Sequence, residues 1–106
     1  MTTAEAVYRA IADPHRRGIL DLLRAGERAV HQLGESFAFS QPALSKHLRI
    51  LRDASLVAVR KVGRQSFYSL DARALRAVHD WVAVYEQFWN ERLDRLGDVL
   101  DDEARS

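Results

Sequence analysis

Apolar residues recur at three- and four-residue steps through the first half of the chain, the spacing of helices that bury one face. This pattern predicts four short helices, over about residues 4–12, 14–24, 31–37 and 40–52. Asp13 precedes Pro14 and Ser40 precedes Pro42, so two of these helices have an N-cap ahead of a proline in the first turn. Only residues 38–39 separate the third helix from the fourth, which gives a helix-turn-helix pattern.

The period changes from helical to strand-like after Ser55. Residues 56–62 and 65–70 are short and rich in β-branched or aromatic residues, and the Gly63-Arg64 pair between them is a turn signal. These segments predict a two-stranded hairpin, and residues 27–30 are expected to be a short extended or linking piece. The pattern therefore favours an α+β fold that is mostly α with a small β-hairpin.

A longer apolar stripe occupies the last third of the chain. Asp71 is the expected N-cap of one continuous helix over residues 72–100, the fifth in the chain. Apolar residues recur along this helix at Leu75, Val78, Val82, Tyr85, Trp89, Leu93, Leu96 and Leu100, and Trp81 and Phe88 widen the stripe.

So wide a stripe exceeds what a small domain can cover, and monomers rarely expose large apolar patches. We therefore expect a homodimer formed through this helix, packed with the first helix. The expected interface residues are Val7, Val78, Trp81, Val82, Tyr85, Phe88 and Trp89. Two alternatives stay open, namely that the stripe covers the chain's own core or that it lines an aromatic ligand pocket.

The composition is that of one small globular domain over residues 1–106, with 47% hydrophobic and 29% charged residues. The apolar runs are too short to cross a bilayer, and the first residues lack the pattern of a signal peptide. We therefore expect a cytoplasmic protein with no membrane partner. The chain has no cysteine, which excludes disulfides, thiolate metal sites and cysteine nucleophiles.

The net charge of +1 conceals an uneven distribution of charge. Residues 40–70 carry six cations and one acid, a net charge of +5, whereas residues 86–106 carry seven acids and three cations, a net charge of −4. A local patch, rather than the total, determines the field that a polyanion meets. The outward residues of the fourth helix offer amide, hydroxyl and cationic groups that suit base edges and phosphates, although a solvated amphipathic helix would look similar.

Four segments in order carry recognisable motifs. Residues 12–23 read ADPHRRGILDLL, residues 40–51 read SQPALSKHLRIL, residues 53–57 read DASLV, and residues 63–70 read GRQSFYSL. They resemble the ADPTRRxILxLL, SQPALSxHLxxL, LxxAGLV and GRxxxYxL motifs of the ArsR/SmtB family of winged-helix repressors, with Ser55 where glycine is usual. The resemblance covers about residues 8–70.

The resemblance implies a winged helix-turn-helix of five helices plus a two-stranded wing, acting as a homodimeric transcriptional repressor that binds double-stranded DNA. Residues 12–70 would bind the DNA, and residues 1–11 and 72–100 would form the dimer. The implied DNA-binding residues are Ser40, Gln41, Ala43, Ser45, Lys46, His47, Arg49, Arg60, Lys61 and Arg64. Of these, Gln41, Ser45, Lys46 and His47 would face the major groove, with Ser40 and Arg49 nearer the backbone. The wing residues Arg60, Lys61 and Arg64 would contact flanking phosphates or the minor groove. For Arg16 and Arg17, a phosphate contact and a structural salt bridge are equally compatible with the motif.

The motifs of the family's metal sensors are missing from this chain. Ala29 and His31 stand where one family site has two cysteines, and Ala72 and Ala74 stand where a second site has aspartate and histidine. The four histidines show no close ligand spacing along the sequence, so neither a metal nor a cofactor is expected.

Other functions are less well supported by the sequence. Catalysis is not expected, because the chain has no Gly-rich phosphate loop and no HExxH or GxSxG motif. A winged-helix module for protein–protein contacts stays open, as does a metal-responsive repressor with a site between subunits that uses His79 with Asp80 or Glu86.

Overall fold

The computed structural model describes residues 3–90, which form short helices around a small antiparallel sheet. The helices are α1 (Thr3–Ile11), α2 (Pro14–Leu23), α3 (Val30–Ser36), α4 (Gln41–Asp53), the 3-10 helix η1 (Ala72–Leu75) and α5 (Arg76–Ala83). The strands are β1 (Arg28–Ala29), β2 (Val57–Val62) and β3 (Gln65–Leu70). The predicted α+β class and its first four helices are confirmed. Within residues 3–90, every helix is too short or too polar to cross a membrane.

The core lies where α1 to α4 meet the base of the hairpin. Its buried residues are Val7, Ala10, Ile19, Leu20, Leu23, Leu33, Leu44, Leu48, Leu51, Ala54, Leu56 and Val57. Three of them lie on α4 at helical spacing, so burial of this edge determines which side of α4 faces outward.

Arg16 and Arg17 join α1 to α2. Arg16 Nε donates to the carbonyl oxygen of Ala10 at 2.7 Å and Arg16 Nη2 donates to that of Arg9 at 3.0 Å, while Arg17 Nη1 donates to that of Ile11 at 2.8 Å. The last carbonyls of a helix lack partners within it, and these guanidinium groups satisfy them. Of the two roles considered for these arginines, the structure shows a structural one.

The sheet has three strands in the order β1-β3-β2, rather than the two that were predicted. β1 pairs antiparallel with β3, with Arg28 opposite Tyr68 and Ala29 opposite Phe67. The sequence predicted a short extended or linking piece at residues 27–30 but not its pairing with β3, because the strand is only two residues long and its partner is distant in the sequence. β1 occupies the free edge of β3, whose backbone groups would otherwise remain unpaired.

The end of α4 leads directly into β2. Ser55, with φ of 61°, donates its backbone N–H to the carbonyl of Arg52 at 2.9 Å, and Leu56 donates to that of Leu51 at 3.0 Å. This pair of hydrogen bonds is a Schellman motif, in which the left-handed residue terminates the helix and its neighbours make an apolar contact. Leu51 and Leu56 are both fully buried, so the joint between α4 and the hairpin is part of the core.

The C-terminal helical region begins as predicted at its N-cap. The Asp71 side chain accepts the backbone N–H of Arg73 at 3.1 Å. The region then divides into η1 and α5, where a single helix was expected.

The prediction of one continuous helix over residues 72–100 is wrong in its described part. α5 ends at Ala83, hydrogen bonds of the turn type follow from Tyr85 to Val82 (2.9 Å) and from Phe88 to Tyr85 (3.0 Å), and residues 86–90 are helical again. Valine and aromatic residues are weak helix formers, and residues 83–90 are all exposed, so core packing does not hold this segment in one straight helix. Positions 91–100 lie outside the described residues.

Candidate nucleic-acid interface

α4 turns a polar edge to solvent because its leucines are buried. Ser40 Oγ accepts the backbone N–H of Ala43 at 3.2 Å and caps the helix, as predicted. The exposed polar side chains on α4 include Gln41, Ser45, Lys46, Arg49 and Arg52, while Ala43 and His47 are half-buried. Amide, hydroxyl and cationic groups on one helix edge are able to hydrogen-bond to base edges and phosphates.

The start of α4 and the tip of the hairpin lie on the same side of the molecule. Gln41 from α4 lines one cleft together with Arg64 and Gln65 from the hairpin. The hairpin turn is Gly63-Arg64, and Gly63 has φ of 61°, which a side-chain-bearing residue rarely adopts at the first position of a two-residue turn. The turn thus places the Arg64 side chain beside the N-terminal end of α4.

Four exposed cations of α4 and the hairpin form what we call the cationic set: Lys46, Arg49, Lys61 and Arg64. Among residues 3–90, the ion pairs join other side chains and leave all four members of the set without a carboxylate partner. Their charge is therefore available to a polyanion without exchange of an internal ion pair.

Arg60 differs from the cationic set because it is already paired. Its Nη2 lies 2.7 Å from Glu27 Oε1 and its guanidinium lies 5.1 Å from the centroid of the Phe67 ring. The hydrogen bond from Arg60 lowers the pKa of the Glu27 carboxyl. The side chain of Arg60 is 59% exposed. Its guanidinium already joins β2 to Glu27, the residue preceding β1, so the predicted phosphate contact would use a group that is already paired.

His47, predicted to face the DNA groove, is half-buried against α2. Its ring centroid lies 5.1 Å from that of Phe39 and 5.8 Å from that of His15, and its Nδ1 lies 3.4 Å from Arg16 Nη1. Burial lowers the pKa of His47; the negative charge of Asp13 opposes this shift, and the positive charge of Arg16 adds to it.

Asp13, His15 and His47 meet at this junction, with one donor atom from each lying within 4.8 Å of the other two. Asp13 Oδ1 accepts the backbone N–H groups of His15 at 2.7 Å and Arg16 at 3.3 Å. Burial would raise the pKa of Asp13, but these hydrogen bonds outweigh it and lower the pKa. This cluster could not be predicted from the sequence, because tertiary packing of α2 against α4 brings the two histidines together.

A second surface is aromatic and is formed by residues of α1, α5 and the residues that follow α5. We call Tyr8, Trp81, Tyr85, Phe88 and Trp89 the aromatic surface; each of these side chains is exposed in the single chain, Trp81 by 58%. The Trp81 ring centroid lies 6.3 Å from that of Tyr8 and 5.6 Å from that of Tyr85, so α1 and α5 share this surface.

Val7 and Val78, which were expected at the dimer interface, both pack in or against the core. Val7 is 0% exposed in the single chain and packs in the core, so it leaves no side-chain surface for a partner, and the expectation for this residue is corrected. Tyr8 takes its place on the exposed side of α1, where its hydroxyl donates to the carbonyl of Ala77 at 3.3 Å. Val78 also packs against the core, but it lines an apolar cleft with Tyr8 and Trp81.

His79, the histidine considered for a site between subunits, lies on α5. Its Nδ1 is 3.2 Å from Asp80 Oδ1, and Asp80 Oδ1 also accepts from Arg76 Nε at 3.1 Å. His79 and Glu86 line one cleft on the exposed side of the terminal region.

Comparison with known proteins agrees with the fold. Residues 13–59 match the family model for bacterial regulatory proteins of the arsR family. The chain is 38% identical over 76 residues to the transcriptional repressor SdpR of Bacillus subtilis, a match that covers 72% of this chain and 84% of SdpR. It is 33% identical over 100 residues to the HTH-type transcriptional regulator Rv2034 of Mycobacterium tuberculosis, covering 94% of this chain and 91% of that regulator. A solved structure of an ArsR-like transcriptional regulator from Rhodococcus sp. RHA1 aligns with a TM-score of 0.69 at 26% identity, over 92% of each chain.

Proposed function

The chain belongs to the arsR family of bacterial regulatory proteins, and we propose that it represses transcription as a homodimer whose two α4 helices bind neighbouring major grooves of one operator. The family consists of transcriptional regulators rather than enzymes. A bacterial regulator that binds the chromosome works in the cytoplasm, which is where we place this protein. Repression follows if the bound dimer blocks access of RNA polymerase to the promoter.

The main support for this proposal is that α4 and the hairpin line one cleft together. Gln41 at the start of α4 and Arg64 at the hairpin tip line it together, and the unpaired cationic set belongs to the same two elements. Contacts to the phosphate backbone fix the orientation of a helix in the major groove, and a cationic hairpin beside the N-terminal end of α4 is suited to make such contacts.

The side chains divide into those suited to bases and those suited to phosphates. Gln41 and Ser45 carry groups that hydrogen-bond to base edges, and the Ala43 methyl suits contact with a thymine methyl. Lys46 faces the groove beside them, Ser40 and Arg49 lie nearer the backbone, and Lys61 and Arg64 of the wing contact flanking phosphates or the minor groove. We expect smaller contributions from His47 and Arg60, because both already make contacts within the chain.

The aromatic surface supports the dimer part of the proposal. It combines α1 with the terminal helices, and an exposed aromatic patch of this kind is typical of an interface between subunits. In this arrangement residues 12–70 bind DNA and the segments on either side form the dimer. A two-fold dimer that presents two copies of α4 requires half-sites about one helical turn apart, roughly 34 Å.

We expect Gln41→Ala to reduce sequence preference. The loss of a bidentate contact to a base should lower the discrimination between operator and non-operator DNA by about 1–3 kcal/mol. The measurement is the dissociation constant on a duplex selected by the wild-type protein from a random pool, compared with a scrambled duplex of equal length. Unchanged discrimination would exclude Gln41 from base recognition.

Arg64→Ala serves as the complementary variant. The loss of one phosphate contact should weaken binding to both duplexes by the same factor and reduce the slope of log K against log salt by about 0.9. Arg73→Ala is the matched control, since this exposed arginine follows the end of β3 that is remote from the hairpin tip. Equal effects of Arg64→Ala and Arg73→Ala would remove the wing from the proposed interface.

A further inference from the structure

We propose that Asp13, His15 and His47 form a binding site for a divalent transition-metal ion, with Zn²⁺ as the expected ion, at the junction of α2 and α4. The site is distinct from the family's metal-sensor motifs, which are missing here, and from the His79 position considered above. It goes beyond the proposed function, because it is defined in a single chain without DNA.

The donor set suits zinc. Two imidazole nitrogens and one carboxylate oxygen are common zinc ligands, and three protein ligands with a fourth position open to water are a frequent arrangement. The three donor atoms lie within 4.8 Å of one another, whereas ligands of a tetrahedral zinc ion are about 3.3 Å apart. The difference requires only small rotations of side chains, and the His15 side chain, 61% exposed, is able to make them.

The carboxylate of Asp13 has two oxygen atoms, so it is able to cap α2 and to bind a metal ion at the same time. Its Oδ1 accepts the two backbone N–H groups at the start of α2, and its Oδ2 points to a different neighbour, 3.7 Å from Arg16 Nη1. Coordination through Oδ2 would leave the N-cap of α2 intact, but His15 Nδ1 lies 3.6 Å from Oδ1, so the His15 ring would have to turn toward Oδ2 to share the ion.

Arg16 is the competing cation at this site. Its Nη1 lies 3.4 Å from His47 Nδ1 and 3.7 Å from Asp13 Oδ2, which are positions that a metal ion would share. The guanidinium is held from its other side by carbonyl oxygens of α1, through Nε to Ala10 and Nη2 to Arg9. A metal ion would replace the Nη1 contacts, and because the guanidinium is planar and rigid this requires the whole group to shift, so Arg16 opposes metal binding at this site.

Aromatic packing holds the two imidazoles beside each other. The Phe39 ring centroid is 5.0 Å from that of His15 and 5.1 Å from that of His47, and Phe37 stacks on Phe39 at 5.1 Å. Groups behind metal ligands fix the orientation of those ligands and raise affinity. A metal ion here would link the start of α2 to the middle of α4 and fix the angle between these helices.

The test is a titration of the untagged protein with Co²⁺, whose visible absorption reports coordination by nitrogen and oxygen ligands. We expect saturation at one Co²⁺ per chain, in the absence of DNA, and displacement by Zn²⁺. His15→Gln and Asp13→Asn should each weaken Co²⁺ binding by about tenfold or more. Asparagine is itself a good N-cap, so Asp13→Asn removes the charged ligand while retaining the start of α2.

His79→Gln is the matched control. We expect this variant to bind Co²⁺ as the wild type does, and we expect Zn²⁺ to raise the melting temperature of the wild type and of His79→Gln but not of His15→Gln. The proposal is overturned if the wild type shows no saturable binding or if His15→Gln binds with unchanged affinity. Loss of binding in His79→Gln alone would assign the metal to the other histidine and overturn it equally.

Discussion

Ser55 connects α4 to β2 in a backbone conformation that side-chain-bearing residues seldom adopt. Its φ of 61° places it in the left-handed region, where the Cβ atom causes strain that glycine avoids. The family motif that this segment resembles has glycine at the same place. Ser55 therefore combines a left-handed backbone conformation with a side chain that is unfavourable there.

We expect Ser55→Gly to stabilise the protein by about 1 kcal/mol, because relief of left-handed strain exceeds the added freedom of glycine in the unfolded chain. The measurement is the free energy of unfolding in urea. Ser45→Gly, at an exposed position inside α4, is the control and should destabilise by about 0.5 kcal/mol. A loss of stability in both variants would show that the joint carries no strain.

At the scale of elements, the wing depends on a segment that precedes α3. β1 adds a third strand at the edge of β3, and the Glu27–Arg60 ion pair links the start of that strand to β2. A two-stranded hairpin alone is marginally stable, so these contacts help to hold the hairpin against the helices. The position of Arg64 beside Gln41 depends on that support.

Asp71 begins the terminal helical region and has a strongly shifted pKa. Hydrogen bonds from the Arg73 side chain, and then from its backbone N–H, lower the pKa of Asp71 from 3.8 to about 2. Because the folded pKa is below the unfolded one, this interaction stabilises the fold fully above pH 3.8, and the contribution is lost as the pH falls from there through about 2. The side chain of Arg73 is largely exposed, so the contribution to stability is small.

The prediction for Asp71 is a carboxyl titration with a midpoint at about pH 2, measured by NMR from the ¹³C shift of its carboxyl carbon. Arg73→Ala should move the midpoint upward, toward the ordinary value of 3.8. Arg76→Ala, which removes a cation paired instead with Asp80, should leave the midpoint unchanged. A midpoint that stays the same in Arg73→Ala would contradict the geometry of this cap.

The whole molecule has two proposed binding surfaces, and they differ in chemical character. The segment that contains α4 and the hairpin has a net charge of +5, while residues 86–106 have a net charge of −4. The aromatic surface is formed by α1 and the terminal region, whereas α4, the hairpin and the start of α3 line the cleft that contains Gln41 and Arg64. This division between elements allows one surface to pair subunits while the other meets a polyanion.

We expect the wild-type chain to sediment with twice the mass of one chain at micromolar concentration, and Trp81→Glu to sediment as a monomer. Trp81 is 58% exposed in the single chain, so a charge there should disrupt an interface without disturbing the core. Ala38→Glu, an exposed substitution in the turn before α4, is the control and should remain dimeric. A monomeric wild type, or a dimeric Trp81→Glu variant, would refute the proposed interface.

Features that depend on neighbouring residues could be predicted from the sequence alone. Helical periodicity, the Asp13 and Ser40 caps, the Asp71 cap and the Gly63 turn were all predicted correctly, because each depends on a few consecutive positions. The resemblance of four ordered motifs was enough to indicate the family, and the family model and relatives confirm it.

Contacts between residues that are distant in the sequence could be identified only from the tertiary structure. It joined β1 to β3, paired Glu27 with Arg60, and brought His15 to His47. It also buried Val7, placed Tyr8 on the aromatic surface, and divided the terminal helix where core packing ends. Residues on the same stripe of a helix have the same periodicity whether they meet their own core or a partner, so the distinction depends on the packing of whole elements.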